Sequence, residues 1–109
     1  MSEHNIPEVL RDAARIFLKE LEGHIAFITS ALESTSPVQA SPLQQRFHLI
    51  RGASGFLGMK GLQTIAKEAE HLYRDEGASL SDEELRKRTR TYLAQLEADR
   101  AILATELAL

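Results

Sequence analysis

The sequence contains no cysteine and no tryptophan. Without thiols it can build neither a disulfide nor a thiolate metal site. That composition suits the reducing cytoplasm, where the chain is expected to work. No apolar run approaches the roughly 20 residues that span a bilayer, and Met1 to Asn5 lack the charged-then-apolar pattern of a signal peptide. Excess positive charge is missing too. The formal net charge is −3 and the pI about 5.8, which argues against a nucleic-acid partner, since such proteins carry a basic footprint. No stretch alternates as a strand would, and nothing repeats. There is no HExxH pattern, and the 4 histidines fall on different segments, so no metal site is expected. No glycine-rich loop follows a strand, so a nucleotide-binding fold is not expected either.

What remains is helical. At 109 residues and 43% hydrophobic, the chain has the size and core content of one domain, residues 1–109. The spacing predicts a first amphipathic helix over residues 6–33. Pro7 sits in its first turn, and Leu10, Ala13, Ala14, Phe17, Leu21, Ile25, Ile28 and Leu32 share one face. His24 projects into that face and reads as a core histidine with a polar partner. A loop over 34–41 leads to Ser41-Pro42-Leu43-Gln44, which offers an N-cap, a first-turn proline and a glutamine three residues on. The second helix then runs to Gly58, a natural stop. A third, over 60–76, buries Leu62, Ile65, Ala66, Ala69, Leu72 and Tyr73 and sets Gln63, Lys67, Glu70 and Arg74 on an adjoining polar stripe. His71 reads as surface. Ser81 and Glu84 form a capping box for a fourth helix to about 107, along which Leu85, Thr89, Tyr92, Leu96, Leu103 and Leu107 align, interrupted by Asp99 and Arg100. The basic run Arg86-Lys87-Arg88 with Arg90 reads as a solvated face. Short loops between four helices favour an all-α, antiparallel up-down-up-down four-helix bundle, with a short N-terminal cover over residues 1–6.

The second helix carries the unusual chemistry. Gly52 and Gly55 lie inside it, although each interior glycine costs a helix about 1 kcal/mol relative to alanine. At about 100° per residue, Leu43, Phe47, Ile50, Ser54 and Leu57 fall in one sector, the core face. Gln44, His48, Arg51, Gly52 and Gly55 fall in a second. Leu49, Ala53 and Phe56 form a further apolar stripe. His48 thus stands on a face cleared of side chains, with a guanidinium one turn on. One reading is a surface histidine beside glycines that allow close helix packing. The other is a nucleophile: neutral imidazole is abundant near pH 7 and forms covalent intermediates, and an arginine pairs with phosphoryl oxygens.

The run His48-Leu49-Ile50-Arg51-Gly52-Ala53-Ser54-Gly55-Phe56-Leu57-Gly58 resembles the signature of histidine-containing phosphotransfer (HPt) domains. That pattern is histidine, any residue, an aliphatic, lysine or arginine, glycine, two small residues, and a glycine ten positions after the histidine. Arginine at position 51 replaces the commoner lysine and keeps the charge. Weaker similarity in helix order and length extends over most of the chain. The resemblance implies a phosphocarrier rather than an enzyme, a step in a multistep two-component phosphorelay. His48 would be phosphorylated, Arg51 would balance phosphoryl charge, and Gly52 and Gly55 would keep the approach open. A polar side chain from the third helix often orients the active histidine in the family. Glu70 fits by position, and Lys67 and Gln44 would support the site, although a solvated charged face is the competing reading for Glu70 and Lys67. Partners would be receiver domains of a hybrid sensor kinase and of response regulators, docking over Leu49, Phe56, Arg46, Lys60 and Lys67. No cofactor is expected on this chain, since catalytic Mg²⁺ would belong to the receiver. A monomer is expected, free-standing rather than a piece of a sensor kinase, contacting neither nucleic acid nor membrane. The runner-up is a bundle adaptor that binds and sequesters a signalling partner without transferring phosphate.

Overall fold

A computed structural model describes residues 6–107. Four helices follow one another: α1 Arg11–Glu33, α2 Ala40–Phe56, α3 Lys60–Glu76 and α4 Asp82–Glu106, with a single 3-10 turn, Glu8–Leu10, ahead of α1. There is no strand among the described residues. The helices alternate in direction as an antiparallel four-helix bundle. Arg11 Nη2 donates to the Glu106 carbonyl at 2.8 Å, bringing the start of α1 to the end of α4. α2 and α3 pack along each other most extensively, and α1 rests chiefly on α4. Of the expected N-terminal cover, residues 1–5 lie outside the described residues, while Ile6 packs on the core.

Two helix starts differ from expectation. α1 begins at Arg11 rather than near residue 6, because Leu10, at φ −100° and ψ 2°, leaves helical geometry. Pro7 instead opens the 3-10 turn, its carbonyl accepting from Leu10 N at 2.9 Å. α2 begins at Ala40, one residue before the expected cap, and Gln39 makes no side-chain cap. Pro42 is tolerated there because the first four N–H groups of a helix lack intrahelical acceptors anyway. The fourth start matches: Ser81 Oγ accepts from Glu84 N at 3.1 Å.

The basic run of α4 is not uniformly solvated. Arg86 reaches across the bundle and donates to the carbonyls of Leu32 at 2.8 Å, Ser34 at 3.1 Å and Ser36 at 2.7 Å. It thereby closes the C-terminus of α1, where orphan carbonyls attract a cation. Its neighbour Asp82 accepts from Arg86 Nε at 2.8 Å and from Val38 N at 2.6 Å. These two bonds, Arg86 foremost, hold the Asp82 carboxyl below its ordinary range. One i,i+4 pair thus ties the α1–α2 loop to α4.

The α2–α3 hairpin is set by Gly58. With φ at +75° it takes the left-handed conformation that side chains resist. Met59 N then reaches Ser54 O at 2.9 Å and Gly58 N reaches Gly55 O at 3.2 Å, the paired bonds of a Schellman ending. Met59 is buried behind it. The turn is short enough to fix the register of α3 against α2, and that register matters to the site.

The core runs through all four helices. Phe47, Tyr73 and Tyr92 meet with ring centroids 5.7 to 6.4 Å apart. The buried Tyr73 hydroxyl bonds Thr89 Oγ1 at 2.7 Å, and burial raises the phenol above its ordinary pKa. α1 buries Ala14, Phe17, Leu18, Leu21 and Ile28. Leu18 was absent from the expected face, and Leu10, Ala13, Ile25 and Leu32 lie half-buried at its edges. His24 is buried as expected, with Arg46 Nη1 at 3.3 Å from Nδ1. Burial, then the Arg46 charge, lowers its pKa against an opposing pull from Glu20.

Candidate functional site

The site sits at mid-height on α2. Ser54 fixes the helix from within: it is fully buried, and its hydroxyl donates to Ile50 O at 2.6 Å. Leu43, Phe47 and Ile50 bury the same side. His48 is therefore forced outward, and its side chain is 53% exposed.

The imidazole is held from α3. Glu70 is buried, 5% exposed, and its Oε1 lies 3.0 Å from His48 Nδ1. A carboxylate can only accept, so Nδ1 carries the proton and donates it. That fixes the tautomer and leaves the lone pair on Nε2. Arg51 Nη2 approaches the same Nδ1 at 3.4 Å. A protonated Nδ1 cannot accept from it, so the guanidinium stands beside the ring without bonding it. Arg51 Nε is 3.3 Å from Glu70 Oε2, within ion-pair reach. The geometry is not that of a hydrogen bond, and Oε2 is buried without one. One carboxylate thus faces both members of the His48–Arg51 pair.

The two interior glycines separate. A Cβ at Gly52 would meet nothing within 4 Å. The chain's own packing does not require glycine there, although the position lies one turn from His48 on the exposed face. A Cβ at Gly55 would come 2.6 Å from the Gln63 amide nitrogen, so Gly55 makes room for a side chain of α3. The resemblance makes both approach residues. The structure puts Gly52 in the open and Gly55 against α3.

The remaining candidates divide by position. Gln44 is half-buried, one turn before His48, and Lys67 is exposed, one turn before Glu70. Lys60 is exposed at the start of α3. Leu49 and Phe56 stand exposed at 47% and 70% on the α2 face beside His48. Arg46 is not brought to this face. It lies over the Phe27 ring, 4.0 Å from its centroid, and against His24, so its guanidinium is engaged on the α1 side. An exposed apolar residue of α1, Ile16, shares a groove with Phe56; the expected docking set left it out. Its signal in the sequence was an isoleucine outside the apolar stripe of its own helix. Among the described residues, no three His, Asp or Glu side chains gather as a metal site, and no helix is long and apolar enough to cross a membrane.

The bundle thus presents an exposed histidine, faced by a buried carboxylate from the next helix and flanked by arginine and open glycine. The Hpt domain model matches residues 12–99, and the chain belongs to that family. No curated protein and no solved structure matched it in the same comparisons. Hpt domains act in phosphotransfer within two-component signalling, as carriers of phosphoryl groups, and interact with receiver domains.

Proposed function

We propose that this protein is an intermediate carrier of a multistep phosphorelay, accepting a phosphoryl group on His48 Nε2 from the aspartyl phosphate of one receiver domain and passing it to the aspartate of another. The observation that carries the reading is the 3.0 Å contact between His48 Nδ1 and the buried Glu70 carboxylate. It supplies a lone pair on the outward nitrogen without consuming a proton.

The step balances without a base. Nε2 attacks phosphorus in line, the P–O bond to the aspartyl group breaks, and the aspartate departs as carboxylate. The ring, protonated on Nδ1 and phosphorylated on Nε2, is left with positive charge. Glu70 faces that charge at close range, and its interaction strengthens as the charge develops. Arg51, ion-paired to Glu70 beside the ring, would pair with the phosphoryl oxygens. Gly52 leaves the receiver room to bring its aspartate in. The divalent metal that such a transfer uses belongs, on this reading, to the receiver. Reversal of the same step onto a second receiver completes the relay.

A panel of phosphorylated receiver domains tests the reading. Label that transfers to the chain, is acid-labile and alkali-stable, and is lost in His48→Gln marks a phosphohistidine carrier. Tight binding of one receiver with no label on His48 would instead establish an adaptor that sequesters it.

A further inference from the structure

The buried polar side chains among the described residues include Ser54, Thr89, Glu70 and His24. Ser54 and Thr89 are satisfied inside the core, and Glu70 serves His48. His24, 8% exposed, takes no part in that site. A buried side chain that can change charge needs a partner for each of its states, and the surroundings of His24 offer two. Arg46 Nη1 of α2 lies 3.3 Å from its Nδ1. A guanidinium only donates, so Nδ1 is bare and the ring proton sits on Nε2. His48 is the reverse, with its proton on Nδ1. The Arg46 guanidinium also lies over the Phe27 ring, 4.0 Å from the centroid, and Phe27 stands one turn beyond His24 on α1. Two side chains of α1 thus hold one cation of α2. The second partner is Glu20, exposed on α1 four residues before His24. That i,i+4 spacing, with the acid on the N-terminal side, suits an ion pair.

We propose that His24 is a proton-operated latch for Arg46, holding the guanidinium against α1 when neutral and releasing it when charged. In the neutral state Nδ1 accepts from Arg46. A proton taken up from solvent at Nδ1 removes that acceptor and sets two cations 3.3 Å apart. The imidazolium turns to the Glu20 carboxylate, and Arg46 leaves the Phe27 ring for water. Burial opposes the protonation first and Arg46 of α2 second, while Glu20 of α1 favours it. α4, the helix on which α1 chiefly rests, adds no charge that acts on the ring. Arg46 precedes Leu49 by one turn of α2, so its release puts an unpaired cation on the surface that carries Leu49. The sequence places Arg46 on that surface, and the latch decides when it is there. The device is complete in three side chains of α1 and one of α2, and does not rest on the phosphotransfer reading.

Histidine ¹⁵N NMR across a pH series, with the Arg46 Nε–H and Phe27 ring signals followed on the same samples, tests it. Above the ordinary histidine value of 6.5, His24 is expected to carry its proton on Nε2. Below it, the Arg46 and Phe27 signals should move together with His24 at one midpoint, while the dispersed amide spectrum of the bundle persists. Arg46→Gln should shift the His24 midpoint upward, since it removes a repelling charge, and Glu20→Gln should shift it downward, since it removes an attracting one. A neutral His24 with its proton on Nδ1 overturns the proposal. So do Arg46 and Phe27 signals that stay fixed while His24 titrates, and a midpoint indifferent to Glu20→Gln. Loss of amide dispersion together with the His24 titration overturns it too, because protonation would then unfold the bundle rather than free one side chain.

Discussion

Gly52 offers a prediction in which stability and function move in opposite directions. It lies in the interior of α2, with helical neighbours on both sides, and a Cβ added there meets nothing within 4 Å. Alanine in place of an interior helix glycine should therefore return most of the intrinsic propensity difference, about 1 kcal/mol. No steric term opposes the gain. For a domain of about 100 residues, that corresponds to a rise in Tm of about 4 °C or more. The new methyl group, however, projects from the face that carries His48, one turn away. On the phosphotransfer reading that space belongs to the incoming receiver, so Gly52→Ala should slow transfer and Gly52→Leu should slow it much further, while both fold.

Thermal unfolding and receiver-to-His48 transfer measured on the same samples decide the matter. Gly55 is the internal contrast. Its Cβ would meet the Gln63 amide at 2.6 Å, the mobile end of a side chain. Gly55→Ala should therefore displace Gln63 at small cost and leave transfer close to wild type. A stabilised Gly52→Ala that transfers at full rate would refute the approach argument. A destabilised Gly52→Ala would refute the packing argument beneath it.

Glu70→Gln keeps an acceptor for Nδ1 but removes the charge that faces the phosphorylated ring, so phosphohistidine should form yet hydrolyse faster, while Glu70→Ala should lose about tenfold or more in transfer, as loss of an orienting hydrogen bond does; radiolabel decay and stopped-time transfer separate the two. Arg86→Ala should lower stability by about 1–3 kcal/mol, since it removes charge-assisted bonds to three carbonyls at the end of α1, and denaturant unfolding should show it without a change in His48 labelling. His24 has a pKa held below its ordinary 6.5 by burial and by Arg46. The unfolded chain therefore takes up the proton more readily. The stability this neutral histidine contributes should be complete above pH 6.5 and fall away as pH drops through the folded-state value, and His24→Phe should flatten that part of the stability profile.

Helix count, the stop at Gly58 and the outward placement of His48 were all legible in the sequence, because each depends on local spacing or on a single conformational demand. Arg86, Arg46 and Ile16 were not. Arg86 sits in a basic run whose composition reads as solvated, and only the antiparallel return of α4 brings the C-terminus of α1 within its reach. Arg46 looks equivalent to Arg51, the other arginine of α2, until Phe27 and His24 arrive from α1. Ile16 falls outside the stripe that buries α1, so its neighbour across the groove is invisible from either helix alone.

Glu70 shows where the boundary runs. Its spacing on α3 permitted two outcomes: a solvated charge, or a buried partner for the imidazole. Helical periodicity cannot choose between them, since it gives the face of a residue but not its height against the neighbouring helix. The Schellman turn makes that choice. Gly58 closes α2 so abruptly, with Met59 N bonded back to Ser54 O at 2.9 Å, that α3 starts two residues later with its register fixed. Counting back ten residues from Gly58 gives His48, and counting on twelve gives Glu70, so the two rise to similar heights on antiparallel helices. A longer or looser turn would leave both residues in place and lift the carboxylate away from the ring. The glycine that ends the signature thus sets the chemistry of the histidine that begins it. Gly58→Ala, strained at φ +75°, should then weaken the fold and transfer together, whereas Gly52→Ala divides them.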